Sequence, residues 1–397
     1  MRVRSLGGNR AGEMRITRFL RNERVSVQEI VEEACLGTFE RVSGRHILAI
    51  QDTTSLRDDG AGRSIVAHPT IALDAVDGAL LGLVHADFIV RKGGLKASRK
   101  ARGFAERQSH RWLEGARHAA SLVDQGAASV TVIADREGDI FDVFADKPQG
   151  IELLVRASHN RRMEDGSRLF DCMQGLNEAG QMKLSLPSAP GRRARDINLS
   201  LWFTRVHLVR AGIAIPVHVV EARELSPPSG VGAAHWRLLT THEVTSIDEA
   251  RTIIGYYRER WTIEQLFRVL KTKGFDIEAV RISDEEPFQK LAACCLVAAI
   301  SVLQLVRDRD GLGKRPIKDV FRKEDIAALV AVSKQLEGKT QRQKNPHPPN
   351  TLAFAAWVCA RLGGWTGYYG KPGPIVMLNG LQQFKLIQTG WRIAINV

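Results

Sequence analysis

The sequence predicts a mixed α/β fold, a sheet flanked by helices. Two short apolar runs, 47–50 and 129–134, have the length of buried strands, and each ends at an aspartate. From about 165 to 240, short alternating segments are separated by Pro and Gly, which is typical of strands. Helical patterning returns at about 247. This order of strands and helices favours a mixed sheet with helices on both faces.

The remaining elements follow from local patterns. Asp77-Gly78 predicts a hairpin between strands 71–76 and 79–90. A helix over 105–124 would bury one face, formed by Trp112, Ala116, Ala119 and Leu122. Further segments are predicted as a strand at 152–157, helices at 247–273, 285–308, 325–337 and 351–362, and a polar, Pro-rich linker at 338–350.

Composition limits the class of protein. The chain has 397 residues, 44% of them hydrophobic, which is enough for a core and for two or three domains. A formal charge of +13 favours nucleic acid as a partner, although a solvated basic surface would give the same excess. The five cysteines lack metal-ligand spacing, and the N-terminus lacks the apolar run of a secretory signal. Residues 291–306 are too short for a membrane span, so we expect a cytoplasmic protein without a membrane partner.

The segment 256–271 is the most informative part of the chain. On a continuous helix of about 100° per residue, one face carries a carboxylate, a tyrosine and three cations: Tyr257, Arg260, Glu264, Arg268 and Lys271. A second, apolar face would pack on the sheet: Ile263, Leu266, Phe267 and Leu270. Charge patterning alone favours an exposed helix with ordinary salt bridges, each contributing about 0.2–0.5 kcal/mol. The alternative is that the cations and the hydroxyl bind phosphates beside a metal-binding glutamate.

The spacing of Tyr257, Arg260, Glu264 and Lys271 matches the Y-(2)-R-(3)-E-(6)-K signature of the insertion-sequence-four family of bacterial DDE transposases. Four further stretches resemble motifs of that family: QDTTSL at 51–56, DREGDI at 135–140, WRLLTT at 236–241 and RLGGW at 361–365. The resemblance covers nearly the whole chain from Arg18 onward.

The resemblance implies a ribonuclease H-like catalytic domain, 46–160 plus 241–337, interrupted by a mostly β-strand insert, 161–240. A linker and helical C-terminal region, 338–397, would follow. It also implies that Asp52, Asp135 and Glu264 are the catalytic carboxylates and bind Mg²⁺, or Mn²⁺ as an alternative ion. Three oxygen ligands suit such ions and two-metal phosphoryl transfer.

Each carboxylate also has an ordinary structural interpretation. Asp52 could be a turn residue before Thr-Thr-Ser, and Asp135 could cap a helix that starts near Gly138. Three nearby acidic residues are rival ligands: Glu137, Asp139 and Asp142.

The resemblance implies DNA-binding roles as well. Tyr257, Arg260 and Lys271 would hold a phosphate, and Arg268 would also face DNA. Trp236 would stack on a flipped base, although without the family it is best interpreted as a core residue of the β insert. Arg156 lies where the family contacts DNA. Further basic positions are predicted to contact DNA or to be solvated: the segment 91–102, Arg161, Arg162, Arg192, Arg193 and Arg195.

We therefore expect a DNA transposase that nicks element ends, forms and opens hairpins, and joins the ends to target DNA. The partner would be double-stranded DNA, bound by a homodimer at the bacterial nucleoid. The N-terminal helical region, 1–45, is shorter than family members usually carry. One alternative is therefore a truncated, inactive derivative that binds DNA and inhibits transposition. The others are a nuclease that does not join DNA and a non-enzymatic basic scaffold.

Overall fold

The computed structural model describes residues 7–58, 64–91, 108–186, 194–272 and 274–395. These residues form two compact units. The first unit comprises the described residues of Met1–Ser43, Thr53–Leu95 and Thr262–Val397. The second unit comprises those of Gly44–Asp52 and Lys96–Trp261. The domain ranges expected from the sequence remain a prediction.

Among the described residues the strands are β1 (His46–Gln51), β2 (Thr54–Asp58), β3 (Ser64–Asp74), β4 (Leu80–Arg91), β5 (Ser129–Ala134), β6 (Ile151–Arg156), β7 (Gly180–Leu186), β8 (Arg195–Arg210), β9 (Ile213–Glu224) and β10 (His235–Thr240). The α-helices are α1 (Arg10–Leu20), α2 (Val27–Phe39), α3 (Arg111–Asp124), α4 (Phe141–Ala145), α5 (Leu169–Cys172), α6 (Ile247–Arg258), α7 (Trp261–Leu270), α8 (Glu285–Asp308), α9 (Asp325–Leu336), α10 (Leu352–Leu362) and α11 (Pro374–Ile395). The prediction of a mixed α/β fold is confirmed.

The second unit is built on three parallel strands, β1, β5 and β6. Their residues are almost all buried, as expected for parallel strands covered on both faces. Helix α3 packs on these strands. The predicted core positions Trp112, Ala116, Ala119 and Leu122 are buried in α3, so that prediction is confirmed.

The strand-rich segment predicted at 165–240 continues the same sheet. Strand β10 pairs antiparallel with β6, with Leu239 opposite Val155. Beyond β10, the antiparallel order is β9, β8 and β7. The predicted strands are therefore confirmed, and they extend the parallel strands by backbone hydrogen bonding rather than forming a sheet of their own.

In the first unit, the predicted hairpin at Asp77-Gly78 is confirmed with a longer loop. Strand β3 ends at Asp74 and β4 begins at Leu80, and the two strands pair antiparallel. The Asp74 N–H donates to the Ala79 carbonyl oxygen at 2.9 Å. Gly78 has a φ of 68°, a left-handed conformation that glycine adopts without steric cost.

Helix α8 is the central helix of the first unit. It packs against β4, against the N-terminal helices α1 and α2, and against α10 and α11. By length and composition α8 could cross a membrane, but 72% of its most apolar window is buried inside the protein. A mostly buried core helix has the same composition, so this helix is weak evidence for a membrane span.

The predicted continuous helix over 247–273 is wrong. Helix α6 ends at Arg258 and α7 begins at Trp261. At the break, the Glu259 and Arg260 N–H groups donate three residues back, each at 3.1 Å, as in a tighter helical turn. The shared face expected for Tyr257 and the residues of α7 therefore does not exist as one helical stripe. No Gly or Pro marks the break, so local sequence did not reveal it.

Candidate active site

The two predicted catalytic aspartates follow neighbouring parallel strands. In the β1–β5 register, Ile50 lies opposite Ile133. Asp52 and Asp135 each come two residues later, so they occupy equivalent positions beyond the two strand ends. Neighbouring strands lie about 4.8 Å apart. The carboxyl ends of parallel strands are also where open α/β sheets place their sites. The structure thus brings these two carboxylates to one edge of the second unit.

Asp52 forms a buried ion pair. Arg260 Nη1 donates to Asp52 Oδ2 at 3.1 Å, and the two side chains are only 9% and 11% exposed. Burial of a carboxylate is tolerated when a cation pairs with it. The predicted phosphate ligand Arg260 therefore contacts the predicted metal ligand in this structure. Its contact with DNA phosphate stays a prediction.

Asp135 acts as a cap, which was the structural alternative for this residue. Its Oδ1 accepts a hydrogen bond from the Glu137 N–H at 2.8 Å, at the start of a single 3₁₀ turn, Arg136–Gly138. The contact uses one carboxylate oxygen, and the side chain remains partly exposed. Capping and metal binding are compatible, because a carboxylate has two oxygens and several lone pairs.

Three more of the predicted DNA ligands lie together in the second unit. Tyr257 is buried, and its ring contacts Trp236 edge-on with centroids 6.2 Å apart. Arg156 Nη2 donates to the His235 carbonyl oxygen at 2.9 Å, and its positive charge acts on the Tyr257 hydroxyl. Burial raises the pKa of Tyr257 and lowers the pKa of Arg156, so Tyr257 keeps its proton at neutral pH. We call Asp52, Asp135, Arg156, Tyr257 and Arg260 the strand-end cluster.

The three rival acidic residues are engaged elsewhere. Asp139 is fully buried and accepts from Arg161 Nε at 3.1 Å and from the Ser158 N–H at 2.7 Å. Glu137 pairs with Arg111 at 3.2 Å, and Asp142 pairs with Arg210 at 2.9 Å. These contacts give each of the three carboxylates a structural partner, and the choice of Asp52 and Asp135 over them stays a prediction.

The third predicted carboxylate, Glu264, belongs to the first unit. It lies half-buried in the first turn of α7, where the helix dipole favours a negative charge. Arg268 follows four residues later on the same face of α7, and Lys271 comes directly after the helix ends at Leu270. Arg268 is exposed, whereas Lys271 Nζ pairs with Glu278 at 2.9 Å. The opposite face is buried as predicted, through Ile263, Leu266, Phe267 and Leu270.

Several predicted basic contacts have structural partners. Arg161 pairs with Asp139, and Arg195 Nη2 donates to Glu224 Oε2 at 2.8 Å. Arg162 is exposed at an isolated β-bridge. Arg192, Arg193 and most of the basic segment 91–102 lie outside the described residues.

The donor chemistry of the strand-end cluster fits a divalent ion in part. Two carboxylates at one sheet edge offer the oxygen ligands that Mg²⁺ prefers. However, among the residues that the structure describes, no group of three or more His, Cys, Asp and Glu side chains is placed to hold a metal ion. The set of Asp52, Asp135 and Glu264 as joint ligands therefore stays a prediction.

A basic depression beside the cluster was not singled out from the sequence. It has a volume of about 390 Å³ and is lined by Arg136, Arg156, Arg237, His235 and Phe170, with Ala157 and Ser158. Arg237 stacks over Phe170 at 4.0 Å and pairs with Glu221 at 2.8 Å. Burial by itself would raise the pKa of Glu221, but hydrogen bonds from His235 and Arg237 outweigh burial and lower it. The sequence offered one signal for this depression, because Arg136 and Arg237 directly follow the predicted site residues Asp135 and Trp236.

The chain matches a known protein family over part of its length. The model of a family described as the transposase DDE domain matches residues 96–300, just over half of the chain. The matched range contains Asp135, Trp236, Tyr257, Arg260 and Glu264. Asp52 precedes it.

Proposed function

Because this chain belongs to the transposase DDE domain family, we propose that it cuts insertion-sequence ends and joins them to target DNA by two-metal phosphoryl transfer. The family acts on DNA, and its members typically require divalent metal ions. The observation that carries the proposal here is the equivalent position of Asp52 and Asp135 beyond two adjacent parallel strands. We assign Asp52, Asp135 and Glu264 as the catalytic carboxylates.

Divalent ions, when bound, would neutralise charge on the transferring phosphate and activate the attacking oxygen. The residues of the chain have separate tasks. Asp52 and Asp135 provide oxygen ligands from a rigid sheet edge, and Arg260 orients Asp52 through the buried ion pair. Buried pairs of this kind fix the geometry of a site, because few side-chain conformations satisfy both partners.

The surrounding residues would bind the DNA strand. Arg156 offers a guanidinium fork suited to phosphate oxygens, and the Tyr257 hydroxyl stays protonated and can donate. Trp236 is half-buried in β10, with part of its ring exposed to receive a base. Stacking a base on an aromatic side chain contributes about 1–3 kcal/mol. Arg268 on α7 and Lys271, directly after α7, would add phosphate contacts.

The proposal extends to further points that the family resemblance implies. We propose membership of the insertion-sequence-four group, a ribonuclease H-like catalytic domain, Mg²⁺ as the ion and a homodimer in the DNA complex. We also propose a cut-and-paste route in the bacterial cytoplasm. The Tyr257, Arg260, Glu264 and Lys271 spacing supports the group assignment.

The decisive experiment measures Mg²⁺-dependent nicking and joining of labelled element-end DNA. Asp52→Asn, Asp135→Asn and Glu264→Gln should each lower the nicking rate at least about a thousandfold, because each loses an ionised metal ligand. DNA binding should persist in all three. Glu137→Gln is the matched control, since Glu137 lies two residues from Asp135 but pairs with Arg111. Normal nicking by any of the three variants would remove that residue from the catalytic set.

A second candidate is a DNA-binding inhibitor of transposition without its own chemistry. The arrangement that favours it is the engagement of Asp52 by Arg260, together with the position of Asp52 outside the matched residues. The same assay separates the two functions. An inhibitor binds element-end DNA without nicking it at any Mg²⁺ or Mn²⁺ concentration, and it lowers the activity of an active transposase added to the reaction.

A further inference from the structure

The first unit contains a second site that combines aromatic rings with cations. A cavity of about 470 Å³ opens between the end of α8, the segment after α9, and helices α10 and α11. We call it the indole pocket, because Trp357 and Trp365 line it. It lies beyond residue 300, outside the residues that match the DDE domain, and none of its lining residues belongs to the strand-end cluster.

The floor of the indole pocket is apolar. Ala356, Trp357 and Ala360 come from α10, and Met377 comes from α11. These two helices touch through glycine. A Cβ added at Gly380 would lie 1.7 Å from the Cys359 carbonyl oxygen. The backbones of α10 and α11 are therefore in close contact at this point.

Trp365 forms a wall of the pocket, and its indole N–H is already hydrogen bonded within the protein. Its indole Nε1–H donates to the Gly370 carbonyl oxygen at 3.1 Å, and its backbone N–H donates to the Ala360 carbonyl oxygen at 2.9 Å. The ring is therefore fixed in place by its own turn. With the N–H engaged, what the side chain offers to the cavity is aromatic surface suited to stacking.

The rim of the pocket is cationic. Arg342 and Lys344 are exposed, and Lys371 is exposed while paired with Asp310 at 2.7 Å. Arg309 Nη1 donates to the Pro372 carbonyl oxygen at 2.9 Å. Within the described residues, Arg309 Nε is a buried donor that has no acceptor. A buried unpaired donor is costly, and Arg309 adds a fourth cationic side chain to the lining of the pocket.

We propose that the indole pocket binds a nucleotide, with the base against the indole rings and the phosphate on the cationic rim. Small-ligand sites usually have volumes of about 300–1,000 Å³ and a mainly apolar lining with a few polar groups. A simple anion would not use the two indoles, and an uncharged aromatic compound would not use Arg309, Arg342 and Lys344. Two sources share this chemistry: a free nucleotide and an unpaired nucleotide in a DNA strand.

The test uses the full-length chain and its tryptophan fluorescence. Adenosine 5′-monophosphate should quench the fluorescence and bind at least about tenfold more tightly than adenosine or inorganic phosphate alone, because only the nucleotide engages both rings and cations. The double variant Arg342→Glu with Lys344→Glu should weaken nucleotide binding at least about tenfold, through like-charge repulsion of the phosphate.

Lys339→Glu is the matched control, since Lys339 is an exposed cation in the same segment but does not line the pocket. It should change nucleotide affinity by less than about twofold. Trp365→Phe keeps an aromatic ring and should retain binding that Trp365→Leu loses. Three results would each overturn the proposal. They are a loss of nucleotide affinity in Lys339→Glu as large as in the double variant, binding of phosphate alone as tight as that of the nucleotide, and unchanged nucleotide affinity in Trp365→Leu.

Competition identifies the source of the nucleotide. Displacement of the monophosphate from the parent chain by single-stranded oligothymidylate indicates an unpaired nucleotide in DNA. Failure of any DNA to compete indicates a free nucleotide. A fully paired duplex that competes as well as the single strand contradicts the proposal, because a stacked base cannot enter the pocket. These readouts do not depend on catalysis, so they stand or fall separately from the transposase proposal.

Discussion

The strand-end cluster and the indole pocket both combine cations with aromatic rings, but the cations of the two sites differ in burial and in pairing. In the cluster, the guanidinium of Arg260 is buried against the carboxylate of Asp52. At the pocket, Arg342, Lys344 and Lys371 are exposed, and Asp310 is the one acidic residue in the lining. The comparison shows that the cation of the cluster is desolvated and paired, whereas the cations at the pocket keep contact with solvent, including Lys371, which is paired with Asp310.

The largest expected effect concerns the difference between buried and exposed ion pairs. Arg161→Met leaves the buried Asp139 carboxylate without its cation, so it should lower the free energy of unfolding by about 3–5 kcal/mol. Lys371→Met breaks a solvent-exposed ion pair, in which the Lys371 side chain is 64% exposed and that of Asp310 is 36% exposed, and should cost about 0–1 kcal/mol. Urea unfolding of the two variants beside the parent chain measures both. Equal losses in the free energy of unfolding would show that the buried and the exposed ion pair contribute equally to stability.

A second effect compares two carboxyl groups with opposite pKa shifts. Asp308, at the end of α8, has its pKa raised by burial from 3.8 to about 6. The folded chain then binds this proton more tightly than the unfolded chain. The free energy of unfolding therefore falls as pH rises from 3.8 to about 6, by about 3 kcal/mol at most, and levels off above that pH. Asp308→Asn should remove this slope in unfolding measured across pH 4–7.

Glu249 provides the control of opposite sign. Hydrogen bonds from the Thr245 backbone and side chain, and from Ser246, lower its pKa from 4.5 to about 2. Its stabilising contribution is complete above pH 4.5 and is lost as pH falls towards 2. Glu249→Gln should therefore leave the slope between pH 4.5 and 7 unchanged. If both variants alter the same window, the assignment of that slope to Asp308 is incorrect.

The smallest expected effect tests whether an ion-paired cation also contacts DNA. Lys271 is paired with Glu278 yet is predicted to bind a phosphate. Lys271→Ala should reduce the slope of log affinity against log salt by about 0.9, the share of one phosphate contact. Lys334→Ala, which removes an exposed cation from α9, is the control and should leave the slope unchanged. An unaltered slope for Lys271→Ala would leave this lysine a structural partner of Glu278 alone.

Local patterns were sufficient for much of the fold. The apolar runs before Asp52 and Asp135, the buried face of α3 and the hairpin at Asp77-Gly78 were all predicted, because side-chain periodicity and turn chemistry depend on residues close in sequence. The helix break at 259–260 was not predicted. It places Tyr257 and Glu264 on two separate helices.

By itself, the sequence determined the strands, their terminal aspartates and the residue spacing that resembles a transposase signature, since each depends on residues close together in the chain. Tertiary structure alone decided that β10 extends the parallel strands, that Arg260 meets Asp52 across 208 positions, and that Arg309, Arg342 and Trp365 line one cavity. Periodicity states which side of an element is buried. Only the packed chain determines what each buried or charged side chain meets there, because those partners come from distant segments brought together by the core.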